Sequence, residues 1–136
     1  MKIIIDSWAW VEILKLSEAG KAAKGEVERA EDVLTPAIVL AELARKYIRE
    51  GADQLTVRRW LQGIAEATEV YGIDTELAMM SALASIELAE KSKKEKLEPP
   101  GLGDALVLAT ARANRARVLT GDLHFKGLQE TVWLGD

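Results

Sequence analysis

The chain has no cysteine and a single histidine among its 136 residues. Without cysteine there is no disulfide, no thiolate zinc site and no cysteine nucleophile. Any triad or zinc site must therefore use His124 or not exist. Long apolar runs are also missing, and none approaches the ~20 residues that a spanning helix needs. The opening Met1 to Asp6 puts an acid at position 6 and has no small-residue cleavage site. No signal peptide is expected, and the expected compartment is the cytoplasm. Positive charge is in deficit: 18 basic residues against 22 acidic give a net charge of -4, with a pI near 5.2. Such a protein does not coat nucleic acid by bulk charge, so only local basic patches would meet phosphates. No Gly-x-x-x-x-Gly-Lys-Ser/Thr occurs, which excludes a P-loop enzyme. There is no internal repeat and no low-complexity tract. What is present is ordinary for a globular protein, 49% apolar and 29% charged. The length suits one domain, residues 1–136, burying roughly two thirds of its unfolded surface.

Strands and helices alternate along the chain. Lys2 to Ile5 is a continuous β-branched run, the pattern of a parallel strand buried on both faces. Ser7 is expected to cap a helix from Trp8 to Leu16, followed by a polar helix from Glu18 to Ala30. Asp32 to Thr35 reads as a short strand. Thr35-Pro36 then reads as a helix start, a capping hydroxyl followed by proline in the first turn, and that helix runs from Ala37 to Arg49. Asp53 to Ala67 has helical period, Glu69 to Ile73 is ambiguous but strand-like, and a long alanine-rich helix spans about Asp74 to Lys94. Lys93 to Gly103 is the only Pro/Gly-rich connection and reads as a loop. A helix over Asp104 to Asn114 and strands at Arg117 to Thr120 and Thr131 to Leu134 complete the chain. The expected fold is α/β: a central, mostly parallel sheet flanked by helices in three layers, α/β/α.

Four carboxylates stand where solubility does not explain them. Asp6 ends the most buried strand, and the carboxyl ends of parallel strands are where ligands bind; an acid capping the next helix is the alternative. Asp122 repeats the arrangement after Val118-Leu119-Thr120. Asp104 shares a helical face with Val107, Leu108 and Ala111, with an ordinary N-cap as its alternative. Glu42 lies inside a helix among Ile38, Val39 and Leu43, where a carboxylate must be paired or bind a cation; a salt bridge to Lys46 is the simpler account. Jointly, these acids would form a like-charge cluster at the carboxyl edge of the sheet, and such a cluster needs a cation. Mg²⁺ or Mn²⁺, which prefer oxygen ligands, would meet that need. A carboxylate-held metal of this kind suits phosphodiester hydrolysis.

The same residues resemble a known family, the PIN domain, and within it the VapC-type toxins. Asp6-Ser7-Trp8-Ala9-Trp10-Val11-Glu12 is similar to its opening strand and turn. Thr35-Pro36 leading to Ala41-Glu42-Leu43-Ala44 is similar to its second acidic motif. Leu102-Gly103-Asp104-Ala105-Leu106-Val107-Leu108-Ala109-Thr110-Ala111 is similar to its third. Leu119-Thr120-Gly121-Asp122-Leu123-His124-Phe125 is similar to its fourth. Gly103 departs from the alanine or serine common at that position. The resemblance implies a ribonuclease fold with a Mg²⁺ or Mn²⁺ site at Asp6, Glu42, Asp104 and Asp122, and near-site hydroxyls at Ser7 and Thr120. It also implies an RNA substrate and a cognate antitoxin whose segment blocks the acidic site.

His124, in a turn beside Phe125, reads as structural or solvent-facing. Arg45, Lys46 and Arg49 follow Glu42 on its helix and are the best candidates for RNA contact. The four tryptophans read as core and interface, and Trp60, with Leu61 and Ile64 beside it, is a candidate anchor for a homodimer. A haloacid-dehalogenase-type phosphatase needs a second Asp where Trp8 stands. A receiver domain needs a strand-ending lysine, and the candidate strands end in Thr35 and Thr120. A housekeeping RNA-processing nuclease and a non-catalytic interaction module on the same fold are the remaining alternatives.

Overall fold

Successive strand residues face opposite sides of a sheet, yet Ile3, Ile4 and Ile5 are each at most 1% exposed. Both faces of their strand are therefore covered. The computed structural model, which describes residues 1–136, shows how. Strand β1 (Lys2–Ile5) lies at the centre of a five-stranded sheet with β2 (Asp32–Pro36), β3 (Glu69–Tyr71), β4 (Arg117–Thr120) and β5 (Thr131–Trp133), in the order β3-β2-β1-β4-β5. Every pairing is parallel, so the sheet is wholly rather than mostly parallel. The helices α1 (Ser7–Lys15), α2 (Glu18–Arg29), α3 (Ala37–Arg49), α4 (Gln54–Ala67), α5 (Thr75–Lys94) and α6 (Leu102–Asn114) complete the three-layer α/β/α architecture. No helix is long and apolar enough to cross a membrane.

Helix α6 crosses β2, β1 and β4 with α5 packed outside it. Its residues Ala105 to Ala111 are all buried, as expected of a helix that is apolar all round. It carries the first-turn acid Asp104. Polar atoms inside it are satisfied locally, as where the Thr110 hydroxyl donates to the Leu106 carbonyl at 2.7 Å.

Several boundaries differ from expectation for identifiable reasons. Asp6, not Ser7, caps α1: its carboxylate accepts the Ala9 N–H at 2.9 Å, and Ser7 is the first helical residue. Thr35 is no cap either. Strand β2 runs on through Pro36, with Thr35 paired to Val70. The Thr35 hydroxyl turns inward, accepting the Trp10 indole N–H at 3.1 Å and meeting the Thr68 hydroxyl at 2.7 Å. A buried indole N–H needs a partner, and that need outweighs the cap. Asp53 and Asp74 stand just outside α4 and α5 and accept the N–H groups of Thr56 and Leu77. Helix α6 begins at Leu102, two residues before the expected start, and the closing strand stops at Trp133.

Gly20, in the first turn of α2, marks the closest approach to α1. A Cβ there would fall inside the van der Waals shell of the Glu12 main-chain carbonyl. Alanine is the better helix former by about 1 kcal/mol, but overpacking against backbone costs typically 1–3 kcal/mol or more. Gly20→Ala should therefore lower the urea midpoint, by a net loss of about 1–2 kcal/mol. A raised midpoint would mean that the two helices separate freely, contrary to this packing.

Candidate active site

The strand order reverses at β1, whose neighbours β2 and β4 follow it on opposite sides. Crevices form at such switch points, outside the carboxyl ends of the strands. Asp6 follows β1 and Asp122 follows β4, so both acids come to this edge. Helix α3 brings Glu42 and the start of α6 brings Asp104.

Asp6 is the most buried, at 4% exposure. Desolvation raises its pKa to about 7, with the Asp122 and Asp104 charges adding to the effect, while the Thr120 hydroxyl and the Ala9 N–H oppose it. Asp104 is half-buried in the first turn of α6, where Oδ2 accepts the Gly101 N–H at 3.0 Å. It is thus the third residue of the helix, reaching back to the cap position, and not the cap itself. Burial and the Asp122 charge raise its pKa, against the Gly101 hydrogen bond. The Asp122 N–H donates to Thr120 Oγ at 2.9 Å, which ties the acid to the end of β4.

Glu42 makes no bridge to Lys46, which pairs instead with Glu50 at 2.6 Å. The only hydrogen bond to its carboxylate comes from the Ser7 hydroxyl, at 3.4 Å. Burial and the Asp104 charge raise its pKa, against Ser7 and Arg45. The departure at position 103 has a spatial counterpart here: a Cβ on Gly103 would lie 2.5 Å from Glu42 Oε2. Glycine lets the carboxylate rest against the first turn of α6. Glu42 also lines two adjoining clefts. One, of about 440 Å³, runs between α3 and α6 and includes Arg45. The other, of about 350 Å³, lies between α1 and α3 and includes Ser7, Trp8, Lys46 and Asp122. Arg49 is exposed at the end of α3, beyond both.

The ligand atoms that lie within 4.8 Å of one another belong to Asp104, Asp122 and His124. Asp6 and Glu42 flank this group and couple to it through charge. His124 is not a solvent-facing turn residue. Nδ1 lies 2.8 Å from Asp122 Oδ1 and 3.9 Å from Asp104 Oδ2, and Nε2 lies 2.8 Å from the Glu98 carbonyl. Burial lowers its pKa, but the Glu98 carbonyl and the two carboxylates outweigh it and the net shift is upward. The sequence signal for this was the spacing itself, since a side chain two residues past a strand-ending acid can fold back onto it. The Glu98 carbonyl left no signal, because main-chain contacts from a loop are invisible in residue types.

The sequence model of the PIN domain family matches residues 3–130, while no curated protein sequence matches the chain. Three solved structures illustrate the likeness in fold. A toxin–antitoxin complex from Klebsiella pneumoniae has 19% identity and a TM-score of 0.70, covering 98% of each chain. VapBC-1 from nontypeable Haemophilus influenzae has 17% identity and a TM-score of 0.72, covering 98% of this chain and 96% of that one. VapC20 of Mycobacterium tuberculosis, a toxin that cleaves the sarcin–ricin loop, has 18% identity and a TM-score of 0.69, covering 94% and 95%. With the acidic motifs at the switch point and the family match across nearly the whole length, the chain belongs to the PIN domain family.

Proposed function

We propose that this chain is a metal-dependent endoribonuclease, acting as the toxin of a type II toxin–antitoxin pair in the cytoplasm, with residues 1–136 forming one domain. The carrying observation is the convergence of Asp6, Glu42, Asp104 and Asp122 at the switch point, where burial first and neighbouring carboxylates second raise the pKa of Asp6, Glu42 and Asp104. The donor set fits a hard divalent ion: carboxylate oxygens from Asp104 and Asp122 lie in reach of one another, Asp122 lines one cleft, and Asp6 and Glu42 stand on either side. Asp6, Glu42, Asp104 and Asp122 would together hold Mg²⁺ or Mn²⁺. When bound, that ion would polarise a phosphoryl oxygen and lower the pKa of a water molecule.

The protein's own groups supply the rest. Glu42, facing both clefts with its pKa raised, is suited to take a proton at its carboxylate oxygen. Ser7 orients that carboxylate, and Thr120 holds the Asp122 main chain. Arg45, in the cleft wall, is suited to meet an RNA phosphate, with Lys46 and Arg49 further along the helix extending the basic track. A net charge of -4 makes such a local track necessary for RNA to approach at all. The solved structures similar in fold include toxin–antitoxin complexes, which supports an antitoxin partner here. Its inhibitory segment would bring a basic side chain to the carboxylates in place of the cation.

A labelled-RNA assay tests the activity: cleavage should need Mg²⁺ or Mn²⁺ and stop with chelator. Metal-independent cleavage, or none under any ion, counts against the reading. The partner is tested by co-expression with the adjacent short open reading frame. A complex should co-purify with nuclease activity suppressed, and light scattering should show two copies of this chain in it. The homodimer is proposed through Trp60, which is 39% exposed and stacked edge-on against Tyr47 with ring centroids 5.0 Å apart. Failure to co-purify, in a host unharmed by this chain alone, counts against the toxin role.

A further inference from the structure

His124 lies in the acidic site with its ring anchored through one nitrogen and the other turned towards two carboxylates. Nε2 sits 2.8 Å from the Glu98 main-chain carbonyl. A carbonyl oxygen only accepts, so Nε2 must carry the hydrogen. In the neutral ring, Nδ1 is then a bare lone pair. It faces Asp122 Oδ1 at 2.8 Å and Asp104 Oδ2 at 3.9 Å, both acceptors when ionised. Asp122 Oδ1 already accepts the His124 main-chain N–H at 2.9 Å, which fixes its lone pairs further. In the metal-free protein a proton on Nδ1 meets these carboxylates, and a metal ion in its place would use the same three atoms. The ligand atoms of Asp104, Asp122 and His124 are all mutually within 4.8 Å, so one ion can satisfy the three. Metal-ligating histidines almost always give their second ring N–H to a carbonyl or carboxylate, which sets the tautomer and aims the ring. Glu98 makes that contact here.

We infer that His124 is a direct ligand, through Nδ1, of the divalent ion held by Asp104 and Asp122, and that the site therefore prefers Mn²⁺ to Mg²⁺. The inference rests on the reading that the acidic cluster holds a divalent ion. Imidazole suits transition ions, whereas carboxylate and water suit Mg²⁺, Ca²⁺ and Mn²⁺ alike. Mn²⁺ is the ion common to both preferences. The α5–α6 connection then has a role beyond joining two helices, since its Glu98 carbonyl holds the ligand ring in place.

The test uses the full chain loaded with Mn²⁺ and read by electron spin-echo envelope modulation. A ¹⁴N coupling of coordinated imidazole is expected, and growth on ¹⁵N-histidine should replace it with ¹⁵N coupling. The chain has one histidine, so the assignment is unique and needs no altered fold. His124→Gln should remove the coupling and weaken Mn²⁺ binding about 10–100-fold, by analogy with the loss of groups that support a ligand. Mg²⁺ binding should change much less. Bound Mn²⁺ without nitrogen coupling overturns the inference and leaves the metal-nuclease reading standing. A ¹⁴N coupling that survives ¹⁵N-histidine labelling also overturns it. Absence of any Mn²⁺ binding by the parent overturns both.

Discussion

Asp104→Asn should reduce Mg²⁺- or Mn²⁺-dependent RNA cleavage by at least about 100-fold, since loss of groups that merely support metal ligands costs roughly 10–100-fold. The same variant should be as stable as the parent without metal, or more so. Asparagine keeps an amide oxygen where Asp104 Oδ2 accepts the Gly101 N–H, so the first turn of α6 survives. What disappears is one negative charge, the one that helps raise the pKa of both Asp6 and Glu42. Mn²⁺ stabilises whatever folded state binds it, by about 2.7 kcal/mol at a hundredfold excess over Kd. Thermal melts with and without Mn²⁺ should therefore show a clear rise for the parent and little for the variant. If both proteins respond alike to Mn²⁺ and cleave alike, Asp104 serves only the helix end and the proposed site is wrong.

The metal-free protein should lose stability as pH rises from about 4 to 8, the reverse of ordinary acid denaturation. Asp6 has its folded pKa raised from 3.8 to about 7. A carboxyl with a raised folded pKa binds its proton more tightly in the folded state. Its contribution is complete below the unfolded value and disappears as pH climbs through the folded one. A shift of that size corresponds to roughly 4 kcal/mol. Glu42 and Asp104 are raised too, so they act in the same direction. So does His124, raised above 6.5, whose favourable charged form is lost as pH rises through its folded value. Denaturant titrations in chelator at about pH 5 and pH 8 should show the fall. Asp6→Asn should remove much of it, because asparagine caps α1 as well as aspartate does and has no charge to desolvate. Saturating Mn²⁺ should flatten the parent's profile, since the ion supplies the compensation that the proton otherwise gives. Equal metal-free stability of the parent at both pH values would show that Asp6 is not desolvated and repelled by its neighbours as this geometry requires.

The contrast between Thr35 and Asp6 shows how far local pattern reaches. Both stand at a strand end beside a helix start, and capping preference nominates Thr35 for α3 and either Ser7 or Asp6 for α1. In the fold, Thr35 is consumed by Trp10, 25 positions away in sequence, and Asp6 takes the cap. The competition was settled by which donors end up buried, a quantity that depends on tertiary packing. Glu42 and Lys46 make the same point. Their spacing permits a salt bridge, but the lysine turns to Glu50 and leaves the carboxylate to Ser7.

The layers, the strands and the positions of the acids along them follow from residue pattern alone. An unbroken β-branched run can be buried on both faces only in a parallel sheet with helices on each side, and alternating helices allow no other connection. Which groups meet depends on how the layers pack. Asp104 and Asp122 come together because α6 crosses β1 and β4. Glu42 rests against α6 because residue 103 has no side chain to exclude it. His124 joins the carboxylates because a loop carbonyl 26 positions away holds its ring. Those contacts depend on distances through space between residues far apart in the chain, and periodicity, which reports only neighbours along it, carries no information about them.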